Sequence, residues 1–481
     1  MIYLVTVVTY LTLLVGISVW LGLRVKTQEE FMVAGRTLTW PILVGTLLST
    51  WIGSGSIFGG GNLGFRQGFA ALWQPAGAWL GIVIIYFVAG RARRFGQFTV
   101  PDIMEARYNV AARVLATIAT VVSYTIIVSY QFRGGARVLH LVIPEISYEW
   151  GILITAVVAT GFTIFAGLIS VAYTDIANGL VIIVGTLLAV PFLLHSAGGW
   201  QAVRAALPSS HFEPLGTMSL KEALALFTPT LFLLLGNANM YQRFFAARDE
   251  REARRSVVGW VIGVMIVETL VIALAVVGSS MPQFRQLAVP ETIIPEVARH
   301  GLPTVVGCLL LAAIVAIIVS TADSFLLVPA TNLVRDVYQR FLDPQATERR
   351  ILVLSRLAVL GLGVASYLLT FTFGGILQAA LAAYSIYGAA VTPAVLAVFF
   401  WPRATPAGGT ASILVGTVVW FIWEIRHAFF LGGGERFPFG IETIYSSLLA
   451  SIVTLIVVSL LTAPQPDKAR PFAVAPAEAP D

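Results

Sequence analysis

Four oxygen-bearing side chains fall close together in an otherwise apolar stretch, IIVSTADSFLLVPATN: Ser320, Thr321, Asp323 and Ser324. Ser320 and Ser324 are four apart and Asp323 follows Ser320 by three, a spacing that puts them on one helical face. Hydroxyls and a carboxylate on one face are hard ligands suited to hard cations. A single serine in such a helix can instead bond back to its own backbone, but a cluster is harder to account for that way. Two further carboxylates lie in apolar surroundings, Asp175 in FAGLISVAYTDIANG and Glu268 in VMIVETLVIA. Asp175 reads either as a charge stabilising a helix N-terminus or as part of an ion or proton path. Glu268 stands alone and reads as a protonated or hydrogen-bonded residue inside a bundle.

A second kind of signal is backbone that cannot stay helical. One stretch, TLLSTWIGSGSIFGGGNLG, carries Gly53, Gly55, Gly59, Gly60, Gly61 and Gly64; another, FTPTLFLLLGNANMYQR, carries Pro229, Gly236, Asn237 and Asn239. Glycine lowers helix propensity and lets the chain open. Small residues also allow close helix packing. An opened backbone leaves carbonyls that can ligate a cation and helix N-termini that can face an anionic group.

The elements that must position these groups follow from composition. Of 481 residues, 57% are hydrophobic and 11% charged, against roughly 25% charged in a soluble domain. Such a chain cannot cover a soluble surface, and it is far too apolar for disorder. The net charge of +5 comes from scattered arginines, with no basic face for nucleic acid, and the single cysteine, Cys308, cannot form an internal disulfide. A polytopic membrane protein remains. About 13 segments have the length and apolarity of a helical span: 2–23, 41–64, 70–90, 112–135, 150–168, 173–195, 222–242, 256–280, 302–334, 351–373, 376–400, 408–425 and 442–462. They are too long and too little alternating for barrel strands. The first lacks Lys or Arg before its apolar run, which argues for an uncleaved helix over a signal peptide.

Within spans, an ionisable group is costly and faces the bundle or a watery cavity. Arg133, near the outer end of the fourth span, reads either as a partner for a solute carboxylate or as an interfacial anchor. With the N-terminus outside, most basic residues fall in loops on the cytoplasmic side: Arg24, Lys26 and Arg36; Arg91, Arg93, Arg94, Arg107 and Arg113; Arg243, Arg248, Arg251, Arg254 and Arg255; Arg335, Arg340, Arg349, Arg350 and Arg356; Arg403; and Lys468 with Arg470. That bias predicts a multi-pass plasma (inner) membrane protein with the N-terminus outside and the C-terminus cytoplasmic. The tail TAPQPDKARPFAVAPAEAPD reads as disordered. The two interrupted spans open two consecutive sets of five, 41–195 and 222–400. Because five is odd, the second set starts on the opposite side, the pattern of an inverted-repeat transporter with its site at the midplane. Neither a Walker loop nor a dinucleotide fingerprint nor a metal-ligand spacing of histidines occurs, so the chain does not read as an enzyme.

The chain resembles the sodium:solute symporter family, which includes proline, pantothenate, sugar and sialic acid symporters, over about residues 1–462. EEFMVAGRTLTW resembles its link into the core, RFGQFTVPDIMEARYN its second cytoplasmic loop, FAGLISVAYTDIANG its helix-five entry, GNANMYQRFFAARDE its broken helix six, and IIVSTADSFLLVPATNLVRDVY its helix eight. The resemblance implies an all-helical leucine-transporter-type five-plus-five inverted repeat with one extra helix before it and two after. The parts would be 1–40, the extra helix and cytoplasmic link; 41–197, the first repeat; 198–221, an extracellular loop; 222–400, the inverted second repeat; 401–462, two extra helices; and 463–481, a cytoplasmic tail. It further implies sodium as the coupling ion, held by the hydroxyls of Ser320 and Thr321 and the carbonyls of Ser49, Ile52 and Ile317. Asp175, Asp323 and Ser324 match a second cation or proton region, although Asp323 stands where some members carry serine. Solute candidates beside the breaks are Ser54, Gly55, Ser56, Tyr130, Gln131, Asn237, Asn239 and Tyr384. Ala238 replaces a proline of the proline symporters, and Ser54-Gly55-Ser56 replaces the acidic and amide residues of the sugar symporters, so neither solute class carries over directly.

The expectation is therefore sodium-coupled symport, by alternating access, of a small polar organic solute (amino acid, carboxylate, pantothenate or sugar). Its partners are that solute and the lipid bilayer, with no nucleic acid and no obligatory protein partner. A proton-coupled carrier using Asp175 or Asp323, or a non-transporting membrane sensor on the same fold, is the alternative.

Overall fold

A computed structural model describes residues 2–22, 25, 27–165, 167–430 and 441–472. Arg24, Lys26 and the stretch 473–481 of the tail lie outside the described residues. The long helices are α1 (Ile2–Gly22), α2 (Trp40–Trp51), α3 (Trp73–Phe95), α4 (Val110–Val142), α5 (Tyr148–Phe165), α6 (Leu168–Ser196), α7 (Leu220–Gly236), α8 (Ala238–Ala246), α9 (Glu250–Ser280), α10 (Thr304–Asn332), α11 (Glu348–Leu369), α12 (Ile376–Ala390), α13 (Thr392–Phe400), α14 (Pro406–Phe430) and α15 (Thr443–Leu461). Among the described residues the only β pairing is an isolated bridge between Leu38 and Ala247.

Eleven helices or helical runs among the described residues are long and apolar enough to cross a membrane, or twelve when α12 and α13, bent by 42°, form one span. The expected segment 41–64 does not make a continuous helix. α2 stops at Trp51, Ile52 is extended (φ −78°, ψ 113°), and a π-helical turn over Gly55–Gly60 leads into a short helix over Gly61–Gln67. The glycines that predicted an opening therefore divide this span into pieces, each too short to cross alone.

Helix position follows from how much apolar surface each buries. Within its most apolar window α10 is 89% buried and α1 only 17%, so α10 is the central post and α1 a peripheral, lipid-facing helix. α10 packs on α1, α2, α4, α5, α6 and α11, while α9 packs on α2, α3 and α6. The link before α2 is tied to the end of α8: Leu38 N–H donates to Ala246 O (3.1 Å) and Arg248 N–H to Leu38 O (2.8 Å).

Several arginines read from the sequence as loop markers are instead buried. Arg107 donates to the carbonyls of Pro402 (3.0 Å) and Ala404 (2.7 Å). Arg113 gathers Asp102, Glu105 and Asp336, joining the loop after α3 to the end of α10. A buried guanidinium is tolerated because carboxylates or carbonyls meet it. Part of the tail read as disordered is also ordered: Pro466–Ala469 is a helical turn, Phe472 is buried with its ring 4.5 Å from that of Phe95, and Lys468 donates to Tyr108 O (2.8 Å).

Candidate functional site

At the first break the freed backbone is met by side chains from two neighbouring helices. Ser54 N–H donates to Gln131 Oε1 of α4 (2.8 Å), and the Thr321 hydroxyl of α10 donates to Ile52 O (3.0 Å), with Ser49 O at 3.4 Å and Thr50 O at 3.5 Å. The contact is close: a Cβ on Gly53 would stand 3.0 Å from both Thr321 Cγ2 and Gln131 Nε2, so a larger residue would have to displace these side chains. Of the expected sodium ligands, Thr321 thus meets the carbonyls of Ser49 and Ile52, and Ile317 is buried one turn before it on α10. Ser320 points elsewhere: its hydroxyl donates to Asp175 Oδ1 of α6, while Ser49 Oγ donates to Asp175 O (2.7 Å).

Asp175 is the centre of a second polar cluster. Its Oδ2 accepts from Thr46 Oγ1 (2.6 Å) and lies 3.6 Å from Nη2 of Arg243. Arg243, on α8, is fully buried and extends into the space between α2, α6 and α10. Its Nε donates to Thr46 Oγ1 (2.9 Å), its Nη1 to Asn239 Oδ1 (2.6 Å), and its Nη2 to Ser324 Oγ (2.7 Å) and to Thr50 Oγ1. Thr50 Oγ1 and Ser324 Oγ are themselves 3.0 Å apart. Asp323 does not join this group. It turns from the Ser320–Ser324 face toward Thr163 of α5, and no hydrogen bond of normal geometry reaches either of its buried carboxylate oxygens.

The second break lies between α7 and α8, where Asn237 is non-helical (φ −57°, ψ 108°). Its freed carbonyls are served by hydroxyls, Tyr387 on Gly236 O (2.8 Å) and Tyr241 on Leu235 O (3.2 Å). Asn237 Oδ1 accepts from Tyr124 Oη (2.8 Å) and from Asn239 N–H (3.0 Å), capping α8. Such pairing is what permits irregular backbone at membrane depth.

The solute candidates therefore form three neighbouring groups. Ser54 and Gln131 pair at the first break, and Asn237 and Asn239 hold the second. Tyr130 and Tyr384 meet through their hydroxyls (3.4 Å), and a Cβ on Gly55 would lie 2.9 Å from Tyr384 Oη. Ser56 instead donates to Glu268 (3.1 Å), which also accepts from the indoles of Trp51 (3.2 Å) and Trp79 (3.0 Å). Arg133 docks on Phe373 O and Tyr148 Oη (3.2 Å), away from these groups. Ser54, Gln131, Asn237 and Asn239 are fully buried, whereas Ser56 is partly exposed and lines a small cavity with Glu268. Sequence reasoning passed over Thr46, Thr50, Tyr124 and Arg243. The signal was there: Thr46 and Thr50 are one turn apart on the first half of a broken span, as are Asn239 and Arg243 on the second half of the other.

Two helices interrupted inside the bundle, with buried polar side chains gathered at each break, are the arrangement of a membrane transporter's binding site. The model of the sodium:solute symporter family matches residues 31–416, and the chain belongs to that family. The chain is 24% identical over 480 residues (95% of this chain, 92% of the relative) to sodium/proline symporter 2 of Staphylococcus saprophyticus. It is 27% identical over 417 residues (83% and 87%) to the high-affinity proline transporter PutP of Bacillus subtilis. A solved Na+-coupled sialic acid symporter in an outward-open state shares the fold, with TM-score 0.80 at 17% identity, covering 96% of this chain and 98% of that one. Mhp1, a nucleobase-cation-symport-1 family transporter, aligns with TM-score 0.61 at 12% identity over 92% and 97%. The protein is accordingly a multi-pass, all-helical membrane transporter of the sodium-coupled solute symport class.

Proposed function

We propose that the protein carries a small carboxylate-bearing solute, foremost an amino acid, into the cell with sodium, across the plasma membrane and by alternating access. The observation that carries the solute class is the set of buried amide nitrogens that no hydrogen bond of normal geometry engages: Asn237 Nδ2, Asn239 Nδ2 and, facing the Tyr130 hydroxyl, Gln131 Nε2. Each amide's orientation is set by a partner that only donates. Ser54 N–H holds Gln131 Oε1, Asn239 N–H holds Asn237 Oδ1, and the Arg243 guanidinium holds Asn239 Oδ1. Three NH2 groups beside two helix breaks therefore lack a well-aligned acceptor, and an unpaired buried donor costs about 1–3 kcal/mol. A solute that brings acceptor oxygens, a carboxylate first among them, relieves that cost. Glu268, with three neutral donors and no cationic partner among the described ion pairs, faces the same break through Ser56 and suits a solute ammonium. The two relatives named as proline transporters fit this class.

Sodium is the co-substrate. Its ligands in this reading are the hydroxyl of Thr321 and the carbonyls of Ser49, Ile52 and Ile317, with Ser320 reached through a change of partner from Asp175. By bridging α2 and α10 the ion stabilises the arrangement in which the solute groups converge, and that differential binding is the coupling. The core is read as two inverted five-helix repeats, 41–197 and 222–400, flanked by the extra helix of 1–40 and the helices of 401–462, with 198–221 and the tail 463–481 outside it. The N-terminus is read as outside and the C-terminus as cytoplasmic.

The test is uptake into proteoliposomes under an inward sodium gradient, against amino acids, simple carboxylates, pantothenate and sugars. Concentrative uptake of an amino acid or carboxylate is expected. Uptake confined to sugars refutes the class, and uptake that follows a proton gradient instead returns the reading to Asp175 and Asp323.

A further inference from the structure

The position that the sequence offers for a second cation already contains one. Thr46 Oγ1, Thr50 Oγ1, Ser324 Oγ, Asn239 Oδ1 and Asp175 Oδ2 come from four helices and surround a single group, the guanidinium of Arg243. Hydroxyl, amide and carboxylate oxygens of this kind would also serve a hard ion. Arginine, however, keeps its proton under all ordinary conditions, so the cluster holds a permanent positive charge that Asp175 balances. A sodium ion beside Asp175 and Ser324 would sit next to that charge. The guanidinium already takes the oxygens that such an ion would need, and the carboxylate of the cluster is engaged in balancing it.

We propose that Arg243 is a resident, tethered cation in the second cation position, so that the protein binds and couples a single mobile sodium ion, at the Ser49–Ile52–Thr321 cluster. The inference rests on the sodium-symport reading and adds its stoichiometry. It also gives Arg243 a role in the cycle. Its partners join α2 and α8, one half of each broken span, to α6 and α10. Any opening between these helices on this side must part the guanidinium from some of its acceptors, with no ion released.

The experiment is equilibrium binding of radioactive sodium alone to the purified full-length protein, counted per chain. The parent is expected to bind one sodium. Arg243→Ala, which removes the charge and leaves its oxygens facing open space, is expected to bind two, and Arg243→Lys, which keeps the charge, one. Thr321→Val is nearly isosteric and independent of whether Arg243→Ala folds. It is expected to drive the count toward zero at the concentration that just saturates the parent. Two sodium ions on the parent, one retained in full by Thr321→Val, or one on a folded Arg243→Ala each overturn the inference and leave sodium symport standing. No sodium on the parent removes the symport reading, and the inference with it.

Discussion

Replacing Thr321 by Val isolates one oxygen at the first break. The Thr321 hydroxyl lies 3.0 Å from Ile52 O and 3.4 Å from Ser49 O, where an ion bridging α2 and α10 would take all three oxygens. Valine keeps the methyl that packs against Gly53, at the 3.0 Å a Cβ there would meet, and loses only the oxygen. An interaction between a neutral polar group and a charge contributes about 1.5–3 kcal/mol. The sodium concentration for half-maximal uptake should therefore rise about 10- to 150-fold, while the maximal rate at saturating sodium changes far less. Ser320→Ala should act differently, because that hydroxyl is held by Asp175; alone it should shift half-activation less, and with Thr321→Ala it should abolish sodium stimulation. The assay is initial uptake against sodium concentration in proteoliposomes, normalised to protein in the membrane. Unchanged half-activation in Thr321→Val, or normal sodium activation in the double variant, would refute the placement of the ion.

Three further outcomes follow from the geometry. Gln131→Glu, Asn237→Asp and Asn239→Asp each keep the acceptor that holds the break and replace the free NH2 by oxygen, so KM for a carboxylate solute should rise about 10- to 100-fold in each; an unaltered KM in all three would place the solute elsewhere. Gly55→Ala puts a Cβ 2.9 Å from Tyr384 Oη, so uptake should fall steeply at normal membrane abundance and recover in part when Tyr384→Phe removes the clashing atom; no recovery would mean that the glycine acts through backbone freedom alone. In the loop between α3 and α4, a hydrogen bond from Arg340, aided by Arg113, holds the Glu105 carboxyl below the usual carboxylate range against the opposing effect of burial. That stabilisation is complete above the unfolded-state value of about 4.3 and disappears as the pH falls through the lower folded-state value. Glu105→Gln should thus melt below the parent at pH 7, with the gap closing under strong acid, and a gap independent of pH would exclude the ion pair as its cause.

How far the sequence reached depended on the kind of signal. Span positions were legible because apolar length is a one-dimensional property, and both breaks were legible because Gly53, Gly55 and Gly236 to Asn239 disrupt helices locally. Side-chain direction was not. Ser320, Asp323 and Ser324 were placed on one face by spacing, yet Asp323 turns to α5 and Ser320 to Asp175, because α10 is surrounded by helices on every side and neighbours one residue apart face different ones. Arg243 was counted with the loop arginines that follow it, since charge in a sequence ordinarily marks a loop. Only the tertiary fold brings Thr46, Thr50, Asp175 and Ser324 around it, from stretches up to 197 residues away. The free amide nitrogens were equally invisible, because which end of an asparagine is engaged is decided by its neighbour in space.

The central claim is that sodium drives this transporter. The most direct measurement is concentrative solute uptake into proteoliposomes at fixed pH, with external sodium replaced by choline. The account predicts that accumulation disappears in choline and returns with an inward sodium gradient imposed alone; accumulation that persists in choline would contradict it.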